Sequence, residues 1–169
     1  MKKLLLAALS TFAISAHAWE PTYYVGSSLA SWQYKQTEPA VDHNFNVTSA
    51  EGLAGIKLSP YTSLEVRAGA GLNTAREAEF EVEMNYFGSL YFKPHLSNEN
   101  ASLYGLIGMT TVSIDGNSGA EDETSAVSYG VGVSFVMSPH CELTAEWKKL
   151  INADAFDMRG GSVGFIYKF

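Results

Sequence analysis

The stretch Met158-Arg159-Gly160-Gly161-Ser162-Val163-Gly164-Phe165-Ile166-Tyr167-Lys168-Phe169 decides the fold. From Val163 on, the odd positions are apolar or aromatic: Val163, Phe165, Tyr167 and Phe169. The even positions are small or polar, Ile166 excepted. A period of two means a β-strand with two chemically different faces. The chain ends on the aromatic face with no polar tail behind it. On a soluble sheet such an edge invites aggregation. In a closed membrane barrel the edges are paired and the aromatic face meets lipid.

The same alternation recurs upstream. It predicts strands over 23–34, 50–58, 62–73, 80–93, 101–114, 125–137 and 141–150, which with the terminus makes eight. In 80–93, Val82, Met84, Tyr86, Gly88, Leu90 and Phe92 take one side. Glu81, Glu83, Asn85, Ser89 and Lys93 take the other, with Phe87 and Tyr91, and Pro94 is expected to end the strand. Ser59-Pro60-Tyr61 and Ser138-Pro139-His140 read as tight turns, and 96–100 as turn-like. The polar stretches 35–49, 74–79, 115–124 and 151–157 read as loops. Short turns alternating with longer loops are the habit of outer-membrane barrels. The expected fold class is all-β: an eight-stranded antiparallel up-and-down transmembrane β-barrel.

Charge labels the two faces. One face of each strand is free of charge in its centre. The opposite face carries Lys57, Glu65, Arg67, Glu81, Glu83, Glu142, Glu146, Lys148 and Lys168. A lysine or arginine facing lipid at mid-bilayer costs roughly 2–4 kcal/mol, so this face must look inward or at water. An eight-stranded interior is only wide enough to be filled by side chains, and charges packed there must pair. Counting back from the turns sets Lys57 opposite Glu65, Gly132 opposite Glu146, and Gly130 opposite Lys148. The expected polar interior network is Lys57, Glu65, Arg67, Glu142, Glu146 and Lys148, a plug rather than a pore. Glu81, Lys93 and Lys168 are expected at the rims, in water.

At the other end, Met1-Lys2-Lys3, an apolar run from Leu4 to Ile14 and Ala16-His17-Ala18 form a secretory signal. The run is shorter than the roughly 20 residues a spanning helix needs. The expected division is therefore 1–18 signal peptide and 19–169 barrel domain. Without Lys2 and Lys3 the chain keeps nine basic against eighteen acidic residues, a net charge of −9. That balance excludes a nucleic-acid footprint. The lone Cys141 can form no intramolecular disulfide, and the histidines have no metal spacing. No catalytic set, cofactor or metal is expected.

Several segments are similar to the OmpX/Ail/PagC family of small outer-membrane barrels. They are Ala101-Ser102-Leu103-Tyr104-Gly105, Ser128-Tyr129-Gly130-Val131-Gly132, the run from Pro139 to Trp147, and Gly164-Phe165-Ile166-Tyr167-Lys168-Phe169. Tyr24-Val25-Gly26 and the turn at Pro60 are similar to OmpA-type barrels. The resemblance implies a monomer in the cell outer membrane, in contact with its lipid and lipopolysaccharide. It also implies that Phe165, Tyr167 and Phe169 form the signal read by the barrel assembly machinery. The implied function is non-enzymatic: surface loops, here 35–49 and 115–124, acting in adhesion, binding of host surface or serum proteins, or envelope integrity. Two alternatives are a small porin-like channel and a lipid A deacylase. For the latter, His95-Leu96-Ser97-Asn98 has the His-x-Ser-Asn form, but strand counting puts it at a periplasmic turn, away from where that motif acts.

Overall fold

The computed structural model describes residues 20–36, 44–77, 80–116, 121–153 and 156–169; the expected signal segment lies outside them. The alternating sequence folds into β1 (Thr22–Gln36), β2 (Asn44–Ser59), β3 (Thr62–Gly71), β4 (Thr74–Glu77), β5 (Phe80–Ser97), β6 (Ala101–Gly116), β7 (Glu121–Ser138), β8 (Cys141–Ala153) and β9 (Phe156–Lys168). Each strand pairs antiparallel with its neighbours, β9 returns to β1, and both β3 and β4 lie on β5. β3 and β4 are thus one stave broken at Leu72-Asn73, and the sheet closes as an eight-stranded barrel. At the break the Asn73 side chain replaces the ladder: its Oδ1 accepts from the Thr48 amide at 2.6 Å. Closure removes every free sheet edge, the one arrangement of strands that hydrocarbon tolerates.

The described strands run further than hydrophobic alternation reaches. β2 begins at Asn44, inside the stretch expected to be loop, and Thr74–Glu77 is a strand. β6 and β7 extend to Gly116 and from Glu121, and β8 and β9 to Ala153 and from Phe156. Backbone pairing continues once a partner strand is in place, whatever solvent the side chains meet. β5 likewise passes through Pro94 to Ser97. Its pairing to β6 steps from Phe92↔Ile107 to His95↔Tyr104, so the proline falls where that ladder is interrupted.

Outward positions are the apolar ones: Leu29, Val66, Leu90, Leu103, Ile107, Val131 and Val163 are all exposed. Met84 is the exception to the expected pattern. A bulge between Met84 and Tyr86 reverses the parity of β5, so Met84 is buried inside while Tyr86 faces out. The side chains of Glu81 and Glu83 lie outside the described residues.

The interior is stacked in three layers. Toward the loop ends, Trp32, Val47, Met84, Phe87, Val112, Leu150 and Met158 form an apolar cluster with Ala30. Trp32 and Phe87 meet edge-on at 6.4 Å. The middle is ionic. Beside the ionic residues lies a small cluster of Tyr91, Tyr104 and Leu106, with Tyr91 across from Glu65; toward the turn ends lie Tyr24 and Ile166, packed on Leu53, and then a polar mouth.

Candidate functional site

The ionic layer is built from side chains that four strands project inward. β3 supplies Glu65 and Arg67 on one face because they are two residues apart. β8 supplies Glu146 and Lys148 in the same way. β2 adds Glu51 and β5 adds Lys93. Arg67 holds the centre. It donates to Glu146 through both ends of its fork, Nη1 to Oε2 at 2.6 Å and Nη2 to Oε1 at 2.8 Å. Its Nε donates to Glu65 Oε1 at 2.6 Å and its Nη1 to Glu51 Oε2 at 3.3 Å. Lys148 Nζ donates to both oxygens of Glu51, at 2.9 and 2.8 Å, and lies 3.5 Å from Glu146. Lys93 Nζ donates to Glu65 at 3.2 Å and sits 3.9 Å from the Tyr104 ring centre. Glu51, Glu65 and Glu146 are therefore balanced by Arg67, Lys93 and Lys148, all with buried side chains.

Hydroxyls satisfy what the charges leave over. Tyr24 donates to Glu65 at 3.0 Å, Tyr104 to Glu146 at 2.8 Å and Ser162 to Glu146 at 3.3 Å. Such completeness is what a buried ion network requires, because each unmatched charge is costly. Room for the long side chains comes from glycine. Gly132 lies opposite Glu146 and Gly130 opposite Lys148. A Cβ at Gly132 would sit 2.5 Å from Tyr104 Cε2.

The six residues expected in the network divide into two groups. Glu65, Arg67, Glu146 and Lys148 meet in the middle. Glu142 and Lys57 do not reach it. Glu142 pairs with Lys168 at the turn end, and Lys57 is half-buried at the same mouth. The expected contact of Lys57 with Glu65 is corrected by the register: Lys57 faces Ser63, and Glu65 faces Gly55. The turn is two residues, Pro60-Tyr61, with a register shift between Lys57 and Ser59, which moves the pairing by two. Lys93 is a second correction, being 6 % exposed rather than at a wet rim. Glu51 was not singled out in the sequence. Its partner Lys148 is 97 positions away, but its parity with Lys57 and Val47 in β2 marks it as inward.

Phe165 and Tyr167 face outward on β9, and Phe169, one residue past its end, is exposed as well. Tyr167 stacks on His140 at 5.9 Å and meets Phe169 edge-on at 5.3 Å. Cys141 is partly buried and pairs across from Tyr167. In the His-x-Ser-Asn tetrapeptide, His95 is buried inside, whereas Asn98 Oδ1 accepts from the amides of Asn100 and Ala101 at 2.9 and 2.8 Å. Asn98 thus caps a turn. The tips 37–43 and 117–120 of the two longest expected loops lie outside the described residues. Among the described residues no group of three His, Cys, Asp or Glu could hold a metal.

Comparison with solved structures gives the same barrel. Ail, the attachment invasion locus protein of Yersinia pestis, solved with the heparin analogue sucrose octasulfate, matches at 17% identity and a TM-score of 0.64, over 89% of this chain and 100% of its own. Neisserial surface protein A matches at 15% identity and 0.61, over 89% and 100%. The N-terminal barrel domain of Pseudomonas aeruginosa OprF matches at 12% and 0.60, over 85% and 97%. Among the curated proteins nothing matches. The model of the outer membrane protein beta-barrel domain family matches residues 4–169. With its apolar wall turned outward and its charges sealed inside, the chain belongs to that family, and its location is the outer membrane.

Proposed function

We propose that this protein is a non-enzymatic outer-membrane barrel whose activity resides in its loop end, in adhesion, in binding host surface or serum proteins, or in holding the envelope together. Residues 1–18 export it, and Phe165, Tyr167 and Phe169 present it to the barrel assembly machinery. The observation that carries this reading is the filled interior. An apolar cluster lies over a charge-balanced layer, which leaves transport no open path and makes the loops the natural place for contact. Folds of this kind host several functions, so the choice rests on the site. The tetrapeptide 95–98 supports no deacylase reading, because His95 points into the barrel and Asn98 is used by the turn. Ail was solved with a polysulfated sugar; here 115–124 carries four acids and no base, which favours a cationic or calcium-bridged partner over a polyanion.

The test is a loop exchange. Residues 115–124 and, separately, 37–43 are replaced by Gly-Ser linkers in cells that display the protein. Adhesion to host cells, serum-protein capture and detergent sensitivity are then compared with the parent at equal surface level. Loss of one of these with either exchange is expected. Retention of all three with both exchanges refutes the loop reading.

A further inference from the structure

The two charged regions of the interior do not have the same balance. In the middle layer three carboxylates meet three cations. At the turn-end mouth, Lys57 and Lys168 share a cavity of about 50 Å³ in which Glu142 is the one carboxylate among the described lining residues. Lys93 and His95 also line it. A volume of that size holds roughly three or four waters. His95 is 8 % exposed, and its Nε2 finds no hydrogen-bond partner among the described residues. A buried polar nitrogen left unmatched at a cavity wall is a mark of an absent partner.

The polar side chains that line the cavity come from several strands rather than from one. Lys57 comes from β2, Ser63 from β3, His95 from β5 and Lys168 from β9. A flat carboxylate would use two such directions, whereas a tetrahedral oxyanion presents oxygens to all of them. We propose that the turn-end mouth is a binding site for one small oxyanion of the phosphate class. Lys57 and Lys168 supply charge, and His95 donates from Nε2–H in that tautomer. The occupant is free phosphate or the phosphate of a lipid headgroup. The site lies at the opposite end of the barrel from the loops and stands apart from the proposed loop activity.

The test uses the full mature chain, refolded in a neutral glycoside detergent in phosphate-free buffer. Binding is followed by phosphorus NMR and calorimetry, with inorganic phosphate in one arm and dihexanoyl phosphatidic acid in the other. Saturable binding in one arm identifies the source. Lys57→Gln is expected to weaken it about tenfold, as loss of a nearby charge predicts, and His95→Phe to weaken it as well. Glu142→Gln, which removes the opposing carboxylate, is expected to tighten it, while Glu123→Gln at the far end changes nothing. The heat-dependent gel shift reports that each variant is folded. No saturable binding in either arm at millimolar concentration, or equal affinity in Lys57→Gln and the parent, overturns the proposal.

Discussion

Arg67 meets three carboxylates at once, and no neighbour can replace it. Its fork binds Glu146 while its Nε holds Glu65. Arg67→Met leaves buried carboxylates without their cation, and breaking such a pair costs about 3–5 kcal/mol. The expected outcome is a fall of that size in urea unfolding of the barrel reconstituted in vesicles. Arg67→Lys keeps the charge but loses the two-pronged geometry, so its loss is expected to be smaller but measurable. Gly132 is the complementary case, where absence of a side chain is the requirement. Gly132→Val drives Tyr104 off Glu146, since even a Cβ falls 2.5 Å from the ring. Overpacking of this kind costs roughly 1–3 kcal/mol, read in the same unfolding assay.

At the scale of the strand, the outer wall was legible and the interior only partly. Lipid is a uniform solvent, so each outward residue is judged alone, and alternation in β3, β7 and β9 is enough to label the wall. Leu90→Arg puts a charge on that wall and is expected to cost about 2–4 kcal/mol, again by vesicle unfolding. The interior obeys register, which local pattern does not encode. The two-residue turn at Pro60-Tyr61 and its register shift separated Lys57 from Glu65, and the bulge after Met84 turned that residue inward. The apolar layer had a signal that alternation obscured. Trp32, Phe87 and Val112 are large hydrophobes on the same face as the charges, each nearer the loop end of its strand. Strand ends escaped for a different reason, because pairing outlasts hydrophobicity. The terminal strand makes a cellular prediction. Deleting Phe169 removes an outward aromatic that caps the pairing of β9 with β1, where its amide donates to the Tyr23 carbonyl at 3.0 Å. The expected result is a smaller fraction of heat-shifting protein in the outer membrane, with refolding of purified chain in detergent little changed.

For the whole molecule, the order of the layers matters more than their content. Eight staves leave a lumen that side chains fill, and planar-bilayer recordings are expected to show no stable large conductance. The larger apolar cluster lies over the loop side of the charges, and the turn side carries the small Tyr24–Leu53–Ile166 cluster and then a polar cavity. The barrel is therefore a shaft with a waxed stopper at its loop end, a thinner one toward the other, and its salt bridges shut between them. Added salt is expected to change the unfolding of the barrel in vesicles little, because ion pairs shut away from solvent are barely screened.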